Sequence, residues 1–351
     1  MTDSLLGLPL QELTLAEVLA EAGYRTGMVG KWHLGVGVEG EYLPTRQGFS
    51  YYYGMPYSHD MCPFVSPCYS DRDCDSFSPH PFTSPCPLYS GEQIVEQPVQ
   101  LTSLTSRMAE RANTFITETV ESQQPFFLYF SFNHVHFPQF ASAQFHNSSL
   151  AGTYGDSVAE MDWTVGNIVN TLKKTGWVGQ ILDIYYNHCR VYNETIIIFT
   201  SDNGARLLDH GRAQAGTNGP FKCGKGSTYE GGFRVPGIVS YPARVQPGKS
   251  SALMSGLDVL PTVLGLAGLQ SSLLAGVSLD GYDLSESLLE DKPSPRQEIV
   301  YIQGSATREF GKIHALRLGD FKAHFYTEGN ILSANEDIDC IALRKVGVPT
   351  V

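Results

Sequence analysis

Three short apolar segments of this chain each run directly into a loop of polar, chemically reactive side chains. The segments are 26–29, 126–132 and 195–200. The last two are continuous apolar or β-branched runs whose length is typical of buried strands. Helices are predicted over 14–23, 104–120 and 156–174. This alternation predicts an α/β fold with a mostly parallel central sheet flanked by helices.

The alternating pattern weakens beyond Gly281. Residues 315–318 and 322–326 predict a hairpin that belongs to a smaller C-terminal antiparallel sheet. We therefore expect a main α/β domain over 1–280 and a partial, smaller subdomain over 281–351.

Residues 55–100 lack periodicity and are rich in Pro, Ser, Cys and Asp, which predicts a long loop region. The aromatic run at 51–53 (YYY) is predicted to pack in the core or against a loop. Four of the seven cysteines lie in the loop region, and Asn-X-Ser/Thr sequons occur at Asn147 and Asn193. Clustered cysteines and sequons are typical of a secretory-pathway protein with disulfides. The first residues lack the features of a signal peptide, so we expect an incomplete N-terminus.

The composition excludes several classes of protein. A formal charge of −12 argues against nucleic acid as a partner, because no basic surplus is present to neutralise phosphates. No run of 18 apolar residues occurs, so no integral membrane segment is expected. A hydrophobic content of 42% is too high for general disorder.

Polar side chains follow each of the three predicted strands. They are Lys31 and His33, His134 and His136, and Asp202 and Asn203. Because ligands bind beyond the carboxyl ends of strands in open parallel sheets, we expect these loops to converge. A Gly-rich segment around Lys225 allows close backbone approach to a ligand. Taken singly, Asp-Asn-Gly is also a common turn, and either histidine of the second loop is more often structural.

The expected set of side chains has a chemical meaning. Carboxylate and amide oxygens suit a hard cation, either calcium or magnesium. Lysines near the cation suit a tetrahedral oxyanion, and histidines can move protons to a nucleophile or a leaving group. Metal-assisted attack on a sulfate or phosphate ester fits the whole set.

These motifs resemble the type I sulfatases, calcium-dependent enzymes of the alkaline-phosphatase-like superfamily, and among them the lysosomal arylsulfatases. The resemblance runs from about Gly7 to Cys340 and is specific, because several different motifs occur in the family's order. The motifs are 30–35 (GKWHLG), 57–60 (YSHD), 134–140 (HVHFPQF), 201–204 (SDNG), 224–236 (GKGSTYEGGFRVP) and 319–325 (GDFKAHF). The resemblance implies an alkaline-phosphatase/sulfatase-like fold, with 1–280 as the catalytic domain.

The resemblance also implies roles for individual side chains. Lys31 would contact the sulfate and the nucleophile, and His33 would assist proton transfer at the nucleophile. Ser58 would line the site, and His136 would protonate the leaving alcohol. Lys225 would hold oxygens of the sulfate and of the leaving group.

Asp202 and Asn203 would bind calcium, with magnesium as the less favoured cation. Two features of the family have no counterpart among the 351 residues. They are an Asp-Asp pair on the first strand, which supplies two further calcium ligands, and a formylglycine nucleophile made from Cys in Cys-X-Pro/Ala-X-Arg. Only Cys68 has Arg four residues later, but Ser stands where Pro or Ala is required, and Cys68 follows the Lys31 loop. The resemblance therefore implies a chain truncated at both ends.

The family pattern further implies the disulfides Cys62–Cys86, Cys68–Cys74 and Cys223–Cys340. Sequence alone permits three pairings among the first four cysteines. Cys189 is left unpaired, in an apparent insertion at 177–190, and the tail at 341–351 no longer resembles the family. Glycosylation at Asn147 and Asn193 and a lysosomal location are also implied.

The implied substrates are small-molecule or glycolipid sulfate esters, such as cerebroside sulfate and aryl sulfates, and a homo-oligomer is compatible with the family. Two alternatives stay open. One is a catalytically inactive fragment or pseudoenzyme that lacks the formylglycine. The other is a phosphatase or phosphodiesterase of the same superfamily, which would use a Ser or Thr nucleophile and a two-metal site.

Overall fold

The computed structural model describes residues 7–63, 67–70, 72–73, 84–175, 190–207, 216–302 and 312–326. The chain divides into two compact units. The first comprises Met1–Asn193 and Ser271–Ala275, and the second comprises Glu194–Gln270 and Gly276–Val351. The predicted boundary between residues 280 and 281 stays a prediction.

The first unit is an α/β unit. Its strands are β1 (Arg25–Gly30), β2 (Tyr51–Gly54), β3 (Pro67–Tyr69), β4 (Arg72–Asp73), β5 (Leu88–Ser90), β6 (Gln93–Glu96) and β7 (Phe126–Ser131). Its helices are α1 (Leu15–Glu21), α2 (Leu101–Glu121) and α3 (Gly152–Lys174), with the short α4 (Arg190–Glu194) at the division between the units. All three helices predicted from the sequence are therefore present.

The main sheet has the order β6-β5-β2-β1-β7. β1 pairs in parallel with both β2 and β7, whereas β5 and β6 extend the sheet in antiparallel pairing. The prediction of an α/β fold with parallel strands flanked by helices is confirmed, and the antiparallel extension makes the sheet mixed.

Residues that alternate along β1 serve two cores on opposite faces of the sheet. Met28 packs with Ala16 of α1, and Val29 lies in the core that holds the buried stripe of α2. The stripe consists of Leu104, Met108 and Ala112. Thr14 caps α1, because its side chain accepts from the Glu17 amide while the Glu17 carboxylate accepts from the Thr14 amide. These packed helices hold β1 rigidly in the middle of three parallel strands.

The second unit contains two small antiparallel sheets in its described residues. Strands β8 (Ile197–Thr200) and β9 (Gly237–Ser240) form one sheet, and β10 (Glu298–Ile302), β11 (Ile313–Leu318) and β12 (Phe321–His324) form the other. The helices are α5 (Glu230–Phe233), α6 (Val259–Ala267) and α7 (Ser285–Leu289). The predicted C-terminal hairpin is confirmed, and Gly319 adopts a φ of 54° at its turn.

Three sequence predictions about strands were wrong. β7 is only partly buried, and Tyr129 is 47% exposed, because β1 is its one neighbour in the described sheet. The strand expected at 195–200 pairs antiparallel with β9 and exposes alternate residues, so it is neither parallel nor fully buried in the described structure. The region 55–100 is not simply a loop, since β5 and β6 form a hairpin on the main sheet. The aromatic run at 51–53 lies in β2.

A disulfide joins Cys62 and Cys86, the pair implied by the family pattern. Cys68 and Cys223 each take part in a further disulfide. Their implied partners Cys74 and Cys340 lie outside the described residues, as do Cys189, the insertion as far as that residue, and the tail at 341–351. No helix in the described parts of the chain has the length and apolar character needed to cross a bilayer.

Candidate active site

The backbone beyond β1 places Lys31 between two neighbouring strands. The Lys31 amide donates to the Ser131 carbonyl of β7 at 2.9 Å, and the Trp32 amide donates to the Met55 carbonyl beyond β2 at 2.9 Å. Gly30 permits this approach, because it has a φ of 112° and a Cβ there would lie 1.8 Å from the Ser131 oxygen. The loop is thus held on both sides at the carboxyl ends of parallel strands.

Trp32 anchors the same loop from within. Its indole N–H donates to the Tyr42 carbonyl at 2.8 Å, and its ring packs edge-on against Phe49. His33 then turns into the left-handed region, with a φ of 61°, and its amide donates to the Pro56 carbonyl at 2.9 Å. The loop geometry therefore positions His33 by backbone contacts on the β2 side.

Electrostatics keep the His33 imidazole neutral. Burial, followed by the positive charge of Lys31, lowers the pKa of His33 to about 4, against an opposing effect of Asp60. At pH 5 to 7 the imidazole can therefore accept a proton, as general-base chemistry requires.

A short 3₁₀ turn, His59–Met61, follows β2. With its N-cap it places three polar residues close to His136: Ser58, His59 and Asp60. Ser58 and His59 are each 2% exposed. His59 Nε2 donates to the Pro138 carbonyl at 3.0 Å, and its ring lies edge-on to that of His136, with 5.8 Å between centroids. The Ser58 hydroxyl and His59 Nδ1 are buried without a hydrogen-bond partner in the described structure. Buried polar atoms of this kind are unusual away from sites that take a ligand or water.

The two ionisable groups of this turn, His59 and Asp60, differ in charge although the pKa of each is lowered. Burial, and then the charge of His136, lowers the pKa of His59 to about 3, so that its imidazole is neutral. Burial alone would raise the pKa of Asp60, but the effect of His136 and further neighbours outweighs it and lowers that pKa below its ordinary value. Asp60 is therefore an ionised carboxylate inside the cluster.

His136 lies at the centre of the cluster and is partly exposed. Its Nδ1 donates to the Phe137 carbonyl at 2.7 Å and lies 3.9 Å from Oδ1 of Asp60. About 24% of its side chain is exposed, so solvent reaches the ring.

His134, two residues earlier, has a different environment. Its side chain is 1% exposed, and Nε2 lies 2.9 Å from both Oε2 of Glu160 and the hydroxyl of Thr105. This network ties the loop after β7 to α2 and α3. His134 is thus buried in a hydrogen-bonded network, whereas the His136 ring is partly exposed.

The second unit holds the remaining predicted site residues. Asp202 is exposed and Asn203 is partly buried, and the Asn203 amide donates to Oδ1 of Asp202 at 2.9 Å. Gly204, the next residue, fits closely, since a Cβ there would lie 1.8 Å from the Gly231 carbonyl oxygen. Within the described residues no group of three or more His, Cys, Asp or Glu side chains is placed to hold a metal ion.

The Lys225 loop is hydrogen-bonded to the loop that carries Asp202. The Lys225 amide donates to the Ala205 carbonyl at 3.0 Å, and Asn218 bridges the two loops through the backbone of Ala205 and the Cys223 carbonyl. Lys225 is partly buried. These hydrogen bonds hold the Lys225 loop beside the loop of Asp202 and Asn203, and the roles predicted for the three residues stay predictions.

The predicted residues therefore fall into two groups. Lys31, His33, Ser58 and His136 lie in the first unit, and Asp202, Asn203 and Lys225 lie in the second. Sequence reasoning gave no role to His59 and Asp60, although both belong to the 57–60 motif. Their signal was that they follow β2, a strand whose carboxyl end lies beside that of β1. A cavity of about 460 Å³ between α2 and α3, lined in part by Asn113 and Trp163, contains none of the predicted residues.

Solved structures share this architecture. The crystal structure of PsFucS1 sulfatase from Pseudoalteromonas sp. superposes with a TM-score of 0.74 at 26% identity, covering 92% of this chain and 63% of that one. The fold is therefore that of a sulfatase-like α/β protein. The sulfatase family model matches residues 2–269, and the chain belongs to the sulfatase family.

Two curated relatives illustrate how much of the family the chain spans. Arylsulfatase A from Homo sapiens is 40% identical over 332 residues, which cover 92% of this chain and 60% of the relative. Arylsulfatase G from Canis lupus familiaris is 38% identical over 358 residues, covering 95% and 62%. The chain thus spans about three fifths of the length of these relatives.

Proposed function

We propose that this protein is an arylsulfatase-like hydrolase of sulfate esters. The observation that carries the proposal is the gathering of Lys31, His33 and His136 beside Ser58 in a member of the sulfatase family. Attack on a tetrahedral oxyanion needs a cation, a neutral imidazole and a second imidazole that solvent can reach. This cluster contains all three kinds of group.

Hydrolysis of a sulfate ester breaks the bond between sulfur and the ester oxygen, and negative charge develops on that oxygen. In the proposed reaction Lys31 and Lys225 bind sulfate oxygens, and Ser58 lines the sulfate site. His136 donates a proton to the leaving oxygen, and His33 accepts one at the nucleophile. These contributions act on charge that develops in the transition state, so they raise turnover rather than ground-state affinity.

Calcium is the proposed metal, with magnesium as the alternative. Asp202 and Asn203 fit a hard cation in chemistry, since a carboxylate and an amide oxygen are ligands of the preferred kind. They fit it only partly in number, because calcium takes six to eight oxygens. When bound, the cation would polarise a sulfate oxygen.

The proposed nucleophile is a formylglycine, as the family pattern implies, and the proposed substrates are aryl sulfates and sulfated glycolipids such as cerebroside sulfate. A lysosomal location and glycans on Asn147 and Asn193 are parts of the same proposal. Both asparagines are exposed, as an acceptor for a glycan must be.

The test is hydrolysis of an aryl sulfate beside the matching aryl phosphate. Residues 1–351 are expressed in a secretory host with the formylglycine-generating enzyme, alone and joined to an N-terminal segment that carries the family's Cys-X-Pro/Ala-X-Arg motif. We expect metal-dependent release of sulfate by the joined chain, reduced about 100-fold or more in Lys31→Ala. Lys249→Ala, at an exposed lysine to which no role is assigned, should leave the rate unchanged.

Three outcomes would contradict the proposal. Preferential release of phosphate would favour a phosphatase of the same superfamily. A folded joined chain, with its formylglycine verified by mass spectrometry, that hydrolyses neither ester would favour the inactive alternative. Equal effects of Lys31→Ala and Lys249→Ala would mean that the cluster does not handle the sulfate.

A further inference from the structure

His59 and Asp60 lie in the 3₁₀ turn that follows β2. Both residues are directed into the cluster around His136, and neither has a part in the proposed reaction. The charge of Asp60 acts on His33 and His59, as does that of Lys31, and its carboxylate lies beside the His136 ring. A carboxylate beside an imidazole can determine where a proton rests.

The first step concerns which nitrogen of His136 keeps its proton. Nδ1 lies 2.7 Å from the Phe137 carbonyl, which can only accept, so Nδ1 carries a hydrogen. Oδ1 of Asp60 lies 3.9 Å from the same nitrogen. Both contacts favour one tautomer, in which Nε2 is the nitrogen that gains and releases the second proton.

The second step concerns the charge of His136. Donating a proton to a leaving oxygen requires an imidazolium at the start of the reaction. The Asp60 carboxylate, which its neighbours leave ionised in spite of its burial, lies beside the ring and stabilises that positive charge. Side chains exposed by 24% and 22% are shielded enough from water for this attraction to matter.

The third step concerns the backbone that carries His136. His59 donates from Nε2 to the Pro138 carbonyl, and its ring packs edge-on against those of His136 and Phe140. A fully buried donor that reaches across 79 residues of sequence fixes the loop against the turn. The same turn therefore supports both the position and the charge of His136.

We propose that Asp60 is a positioning residue that holds the His136 proton at Nδ1 and favours the imidazolium, while His59 fixes the loop that carries it. The inference rests on the proposed function for its catalytic meaning. In the reaction, an oxygen of the nucleophile forms a bond to sulfur while the bond between sulfur and the ester oxygen breaks, and the Nε2 proton passes to that ester oxygen. The Nδ1 proton stays with His136, bonded to the Phe137 carbonyl, so His136 ends as a neutral imidazole.

The test reads the imidazole directly, by NMR of ¹⁵N- and ¹³C-histidine-labelled full chain over a range of pH, with His136→Gln used to assign the His136 signals. We expect wild-type His136 to show the Nδ1–H tautomer. In Asp60→Asn, which keeps the volume of the side chain, the titration midpoint should fall by about one pH unit, a tenfold change in the protonation equilibrium. Asp60→Glu should recover most of that shift, and Asp162→Asn, an exposed carboxylate on α3, should cause none.

Variants of His59 and the pH–rate profile give two further measurements. His59→Gln retains a donor for the Pro138 carbonyl and should keep the His136 signals in place, whereas His59→Leu should displace them. In the joined, formylglycine-bearing chain, Asp60→Asn should move the alkaline limb of the pH–rate profile to lower pH and leave KM nearly unchanged. An unshifted His136 midpoint in folded Asp60→Asn would overturn the inference. If wild type showed no sulfatase activity, the NMR result would still decide this inference, while the proposed function alone would fail.

Discussion

At the scale of single residues, His134 and His136 have different surroundings, so we predict different losses of stability when each is replaced. His134→Ala removes the closest partner of the Glu160 carboxylate, which is itself 2% exposed and keeps only the longer contacts from the Ser142 amide. An uncompensated buried group costs about 2–3 kcal/mol, so urea unfolding should show that loss. His136→Ala removes a partly exposed ring and should cost less than about 1 kcal/mol. Equal losses of stability in the two variants would contradict these assignments.

Two imidazoles with lowered pKa values predict how stability depends on pH. The pKa of folded His33 is about 4 and that of folded His59 is about 3, whereas an unfolded histidine has an ordinary pKa of about 6.5. Between those limits the unfolded chain binds more protons, so the free energy of unfolding falls as pH falls from about 6.5 toward 4. His59→Gln should make this fall shallower, by at most about 1.4 kcal/mol per pH unit. Urea unfolding at pH 4 to 7 measures it, and an unchanged slope would contradict the burial of His59.

Sequence reasoning at this scale found residue types but not their neighbours. Lys31, His33 and His136 follow visible strand signals, so their loops could be predicted to converge. The contribution of Asp60 could not be predicted, because a carboxylate next to a histidine in sequence reveals neither its burial nor which histidine it faces. Those properties depend on the loop after β7, which lies far away along the chain.

At the scale of elements, close contact between backbones positions the Lys31 loop. A Cβ on Gly54, at the end of β2, would lie 1.8 Å from the Gly30 carbonyl oxygen. Gly54→Ala should therefore separate β1 from β2 and cost about 2 kcal/mol or more in urea unfolding. Gly166→Ala is the control, since α3 leaves open space there and the change should be neutral or stabilise by up to about 1 kcal/mol. Similar effects of the two changes would contradict the close packing of β1 and β2.

The elements that sequence predicted well are those with strong local signals. α1 has its capping box, and the hairpin at 313–324 turns at a glycine with positive φ. β5 and β6 were missed because strands of three and four residues carry too little periodicity to stand out from a Pro- and Ser-rich region. β8 was assigned to the wrong kind of sheet, because an apolar run does not specify the direction of its neighbour.

At the scale of the whole molecule, the sparse set of described oxygen ligands predicts weak calcium binding. Asp202 and Asn203 together supply one formal negative charge, and calcium takes six to eight oxygens. Calorimetry on residues 1–351 should give a Kd on the order of 10⁻⁴ M or weaker, and Asp202→Ala should abolish even that. Asp162→Asn, at an exposed carboxylate on α3, is the control and should leave the binding unchanged. Submicromolar binding by residues 1–351 would contradict this expectation.

The most direct test of the central claim is how turnover depends on the leaving group in a formylglycine-bearing form of this protein. A poor leaving group needs a proton from His136, whereas a nitrophenolate leaves readily without one. We predict that His136→Ala lowers turnover of an alkyl or glycolipid sulfate by about 10²-fold or more and that of nitrophenyl sulfate much less. Equal losses for both esters, with folded protein in each case, would contradict the assignment of His136 as the proton donor in sulfate ester hydrolysis.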